Sequence, residues 1–275
     1  MTRKTIFEIE RRTDLVSDFR GTIADLESTS VTTKALGTLN MRQLLNNCIK
    51  TWPYRQGANN LDSYASTHGF NMFDTDTEPN ILYNYELILN LLHWAPTYDA
   101  NRADIFSFND NPTINEECTR CIENIKYNLE MVNMRVREDR TKDLPKYIIS
   151  KRDAQVDAVI ESAPELSETL LSYLDFRNRD DEKAKKAVLK AIADYLEQKR
   201  KDKCYKGTEY NSLCENLFAV FNNASIRHEN SQQWKLRKPM RIKLYDQTFK
   251  AAVHLLQKED IDSFNDMVME LKKSN

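Results

Sequence analysis

The stretch DDEKAKKAVLKAIADYLEQKR, residues 180–200, decides the fold class. Its apolar residues fall at Ala184, Ala187/Val188, Ala191/Ile192 and Tyr195/Leu196, the step that lines one side of an amphipathic helix. Asp180 and Asp181 precede it, where a helix N-terminus favours carboxylates. The same periodicity continues downstream. Tyr210, Leu213/Cys214, Leu217, Val220/Phe221 and Ala224 predict a helix after Gly207. Leu244/Tyr245, Phe249, Ala252 and Leu255/Leu256 predict another, and Ile261, Phe264, Val268 and Leu271 a last one.

Upstream, Ser162-Ala163-Pro164-Glu165 has the form of a capping box ahead of Leu166, Leu170 and Tyr173. Thr113-Ile114-Asn115-Glu116 has the same form, followed by a stripe of Cys118, Cys121/Ile122, Ile125, Leu129, Val132 and Val136. Residues 1–110 are less regular. Met41–Lys50 reads as a short helix with Met41, Leu44, Leu45 and Cys48 on one side. Leu82–Trp94 reads as a strongly apolar one that buries Leu82, Tyr85, Leu87, Ile88, Leu91 and Leu92 and is ended by Pro96. Trp52–Asn80 shows no periodicity, and four of the five Gly lie in the first 70 residues. With only 5 Gly and 7 Pro in 275 residues, turn-rich β architectures are disfavoured. The expectation is a predominantly all-α protein: an N-terminal helical and irregular region over 1–110, and a multi-helix bundle over 111–275.

At 40% hydrophobic residues the chain can bury a substantial core, yet no apolar run reaches the roughly 18–20 residues that cross a bilayer. The start, Met1-Thr2-Arg3-Lys4, lacks an apolar signal segment, and five Cys is an odd number. Cytoplasmic, reduced and not membrane-bound is the expectation. The net charge of −2 conceals a division. Residues 199–206 carry +4 and residues 227–243 carry +5, so the rest of the chain is strongly acidic. Two basic segments on an acidic protein are either solvated helix faces or a surface for a polyanion.

Several residues invite chemistry and are better read as structural. Cys118 and Cys121 sit on an apolar helical stripe with no second Cys or His pair at metal-site spacing, so neither metal nor cofactor is expected. His68, His93 and His254 have no chemical partner nearby in sequence. The segment Trp52–Ala58, with two aromatics, Arg55 and Gly57, is either a ligand-facing loop or a packed one. The richest segment is Asn222–Asn230. There a regular apolar helix turns polar; if it continues, Asn223 and Arg227 share a face, with His228 beside them. His exchanges protons near neutral pH, and Arg offers a donor fork to charge on phosphorus. Asn223, Arg227 and His228 could therefore cleave a phosphodiester without metal. Lys199, Arg200, Lys203, Lys235, Arg237, Lys238 and Arg241 would hold RNA. The alternative is a helix C-terminus where Arg and His meet the macrodipole and Asn caps the turn.

The pattern Leu217-Phe218, Asn222-Asn223, Ile226-Arg227-His228, Asn230 and then Trp234 or Tyr245 resembles bacterial abortive-infection, phage-defence proteins with HEPN-like helical domains. The segments Asn124–Glu130, Lys185–Leu189 and Leu196–Arg200 extend the resemblance to roughly residues 115–260. It implies a dimeric helical bundle and a metal-independent ribonuclease, a toxin towards infected cells, with Asn223, Arg227 and His228 as its polar set. In that family the Arg precedes the His by about one helical turn, whereas Arg227 and His228 are adjacent. A non-catalytic helical adaptor therefore stands beside the ribonuclease as the second expectation.

Overall fold

A computed structural model describes residues 14–33, 36–100, 112–139, 146–201, 206, 208, 210–227 and 233–274, with side chains described as far as Lys258. The fold is predominantly helical, as expected. It divides at Ser150/Lys151 into two compact units, and not near residue 110.

The first unit holds α1 (Leu15–Ser28), β1 (Ser30–Thr33), β2 (Gly37–Asn40), α2 (Met41–Cys48), α3 (Leu61–Thr67), α4 (Glu78–Ala100), α5 (Pro112–Met131), β3 (Met134–Asp139) and β4 (Lys146–Lys151, its last residue beyond the division). α4 is its axis, packed by α1, α2 and α5. The apolar residues expected to be buried are buried, and so are Ile81, Leu89, Ala95 and Tyr98 on other sides of the helix. Pro96 does not end it. Proline removes one helical N–H and crowds the preceding turn, but burial of Ala95, Tyr98 and Asp99 sustains the helix to Ala100.

A helix enclosed in this way also buries its polar residues, and those of α4 bond to its neighbours. Asn84, fully buried, accepts from the Phe73 N–H at 2.8 Å and donates to the Asn71 carbonyl at 2.9 Å. Asn80 accepts from the Asn71 N–H and donates to the Asp74 carbonyl, both at 2.8 Å. Asn90 pairs with both backbone groups of Tyr147 in β4 at 3.0 and 2.9 Å, and Glu86 accepts from the Ile149 N–H. Four residues thus fasten a loop and a strand to one helix.

The aperiodic stretch Trp52–Asn80 is a chain of turns around α3, tightened by left-handed residues at Gln56, Gly57, Gly69 and Phe73. Two antiparallel or hydrogen-bonded strand pairs were also not foreseen: β1 with β2, in register Ser30↔Asn40 to Thr33↔Gly37, and β3 with β4. α5 starts at Pro112, so Thr113 lies inside the helix and not at its cap. It ends at Met131; Asn133, at φ 60°, turns the chain, and the expected stripe positions Val132 and Val136 fall in the turn and in β3.

The second unit holds α6 (Ala154–Ser162), α7 (Ser167–Leu174), α8 (Glu182–Lys201), α9 (Asn211–Asn223) and α10 (Lys238–Ser274). Ser162 ends α6 and its hydroxyl donates back to the Val159 carbonyl, so the capping box expected there does not form, and α7 begins without a side-chain cap. The two expected C-terminal helices are one, α10. α10 packs on α6, α8 and α9, and its Tyr245, Phe249, Ala252, Val253, Leu255 and Leu256 complete the core.

The buried face of α8 is Lys185, Val188, Leu189, Ile192, Ala193 and Leu196, which leaves Ala187 and Ala191 exposed. Lys185 lies in this core because its ammonium donates to Asp246 at 2.5 Å and sits 5.2 Å from the centre of the Tyr173 ring. The Tyr173 hydroxyl donates to the same carboxylate at 2.9 Å. Burial, then the Asp246 charge, pushes the Tyr173 phenol upward, so it serves as a permanent donor.

Two outcomes follow for stability in urea. Asn84→Leu should cost about 2 kcal/mol, the scale of buried groups left unsatisfied, and speed hydrogen exchange at the Phe73 amide. Asp246→Ala, which strands an ammonium on a side chain only 5% exposed, should cost about 3 kcal/mol. Lys185→Met should cost about 1 kcal/mol or less, because Asp246 is 41% exposed and can hydrate.

Candidate nucleic-acid interface

α9 is specified by Cys214, Leu217, Phe218 and Phe221, all buried, and ends at Asn223. Ser225 stops it by taking a left-handed backbone, φ 61°. The chain then folds back on the helix end: the Arg227 N–H donates to the Phe221 carbonyl at 3.0 Å, and the Trp234 N–H to the Asn223 carbonyl at 2.8 Å. Ser225 also bonds to Gln233, and Ile226 is buried beneath this turn. Asn223 and Arg227 therefore do not share a helical face.

The side chains have separate partners. The Asn223 amide donates to the Ala219 carbonyl within its own helix at 2.8 Å. Arg227, 14% exposed, donates to Glu197 on α8, and its Nε lies 3.6 Å from Asp194 Oδ1. The guanidinium fork is thus occupied by carboxylates from a helix some 30 residues earlier. His228 lies outside the described residues, as does Lys203.

The cations expected to contact RNA fall into two groups. Lys199 and Arg200 cover rings, with Nζ 5.5 Å from the Tyr195 centroid and Cζ 4.7 Å from the Phe218 centroid. Arg241 is bound at 2.5 Å to Glu182 and at 2.8 Å to the Leu236 carbonyl. Lys235, Arg237 and Lys238, by contrast, are exposed on the segment that leads into α10. Two large apolar residues stand out of the surface beside them, Trp234 at 45% exposure and Met240 at 54%. An exposed indole among cations is the combination that single-stranded nucleic acid stacks and pairs against.

The remaining candidates are integrated into packing. Trp52 is buried, edge-on to Tyr54 and Tyr64, and Arg55 bonds to the Lys50 carbonyl. His68 stacks on Tyr64 and bonds to its carbonyl at 2.8 Å, and His93 meets Tyr147 edge-on. His254 is exposed on α10, 6.1 Å from the Tyr210 ring. Cys118 and Cys121 are both buried on α5; burial pushes the Cys118 thiol up to about 12 and raises that of Cys121. Thiols held protonated in this way are poor nucleophiles and poor metal ligands. Among the described residues no group of three or more His, Cys, Asp or Glu could hold a metal ion, and no helix is long and apolar enough to cross a membrane.

Local spacing could not reveal the acids facing Arg227, which come from another helix. Trp234 entered the sequence reading only as part of the pattern that carries the resemblance, and its exposure beside cations is a finding of the structure. Compared with known proteins, the chain matches no family model, no curated protein and no solved structure.

Removing the Arg227 fork should unsettle the α8–α9 contact. Arg227→Ala is expected to lower stability by about 1–2 kcal/mol, discounted for partly hydrated acids, and Arg227→Lys should recover only part of it. Urea midpoints of the three proteins check this.

Proposed function

We propose that this chain is an RNA-binding effector of the abortive-infection type, which engages single-stranded RNA through Trp234, Lys235, Arg237 and Lys238. The observation that carries the reading is the exposure of three cations on the segment that follows a half-exposed indole, in a chain that is strongly acidic outside its two basic segments. Exposed cations attract phosphate by releasing its counterions, and the indole offers a stacking face to any base.

Metal-independent cleavage is a separate part of the proposal. His228 would transfer the proton, and Arg227 would have to exchange Glu197 and Asp194 for a phosphate before it could stabilise charge. Those ion pairs favour binding over catalysis. They are also the observation that favours the second reading, a helical adaptor in which Arg227 is architectural.

Fluorescence anisotropy with a labelled single-stranded oligoribonucleotide, titrated over a salt series, separates the readings. Binding should weaken with salt. The Lys235→Ala/Arg237→Ala/Lys238→Ala variant should reduce the log–log salt slope by about 2, from about 0.7 per phosphate contact. Trp234→Ala should weaken affinity by about tenfold or more. No binding, or binding indifferent to these changes, leaves the adaptor. Incubation with EDTA tests cleavage, and His228→Ala should slow any cleavage by about 10²–10⁴-fold.

A further inference from the structure

A different surface, in the N-terminal unit, is independent of that reading. The end of α1, the starts of α2 and α3 and the loop before α4 line an open groove of about 570 Å³, a volume within the range of small-molecule sites. Phe73 lines it with φ 59°, a left-handed backbone that bulky residues rarely adopt. The buried Asn84 holds it there through the Phe73 N–H, while Asn80 holds Asn71 and Asp74 on either side. Strain of this kind persists where the surroundings over-determine it, and it clusters at ligand sites. Here it places the Phe73 ring under the Arg42 guanidinium, whose Cζ lies 4.1 Å from the ring centroid. Glu27 fixes that guanidinium by an ion pair.

The neutral polar residues of the lining are all amides. Asn40 Oδ1 accepts from the Gln43 N–H at 2.8 Å, and Gln43 Oε1 from the Asn40 N–H at 3.1 Å. Asn46 Oδ1 accepts from the Leu61 N–H at 3.2 Å. The fold consumes the carbonyl half of each amide and leaves the NH₂ halves as donors. The acceptors are carboxylates, Asp62 and the second oxygen of Glu27. Amide donors, carboxylate acceptors and a cation–π platform match a nucleobase and its sugar. Ring nitrogens and carbonyls accept, amines and hydroxyls donate, and the base stacks. Two carboxylates against one already paired guanidinium repel phosphate.

We propose that this groove binds a nucleoside, with the base stacked on the Arg42–Phe73 pair, its acceptors facing the amides of Gln43 and Asn46, and Asp62 accepting from its amine or hydroxyl. Isothermal titration of the full chain with adenosine, guanosine, cytidine and uridine tests this. At least one should bind, and its 5′-monophosphate should bind about tenfold more weakly. Phe73→Asn removes the ring but tolerates the left-handed backbone, and Asp62→Asn removes an acceptor charge. Each should lose about tenfold in affinity while the melting temperature stays near that of the unaltered protein. Failure of all four nucleosides to bind, tighter binding of the monophosphate, or unchanged affinity in both variants overturns the proposal.

Discussion

The N-terminal unit depends on the enclosure of α4. A helix buried on every side cannot leave its amides and carboxylates to water, so each must find a partner in whatever packs against it. Asn80, Asn84, Glu86 and Asn90 meet that demand with main-chain groups of the loop at 71–74 and of β4. One requirement therefore builds two pieces of structure. A segment without periodicity gains a fixed path, and a short strand gains an anchor that its two-stranded pairing alone would not provide.

The C-terminal unit solves a related problem with charge. Lys185 is admitted to the core by Asp246 and by the Tyr173 ring, and Arg227 ties the end of α9 to α8 through Glu197. Both pairs join elements distant in sequence, which fixes how the helices meet as well as that they meet. Of the described cations expected to meet RNA, Lys235, Arg237 and Lys238 are the ones exposed together on one short segment. Engaged charge of this kind builds the architecture, and exposed charge is what the proposed RNA contact draws on.

Helix identity was legible wherever leucine, isoleucine and phenylalanine carried the stripe, as in α9 and the middle of α4. Alanine misled. Counting Ala184, Ala187 and Ala191 as buried turned the α8 face by one position and hid Lys185, whose burial rests on a partner 61 residues away. Val132 and Val136 prolonged α5 on paper because a valine spacing of four suits either helix or strand; a left-handed Asn133 decides otherwise. At the candidate site, the shared face of Asn223 and Arg227 assumed that α9 continues. Ser225 stops it without the glycine that usually signals such an ending. The basic character of residues 234–241 was readable from composition, whereas which of its cations remain exposed required the acids of other helices.

The position of α10 has a consequence for how the chain is made. On the ribosome, the first unit has all its elements once β4 has emerged, and it can close early. The second cannot, because α6, α8 and α9 surround a face that only the final helix fills, and the Gln257 amide reaches back to the Gln155 carbonyl across most of that unit. Until synthesis passes Leu256, the apolar sides of three helices stay wet. A premature stop before Lys238 would remove the keystone of an entire core and not merely a tail.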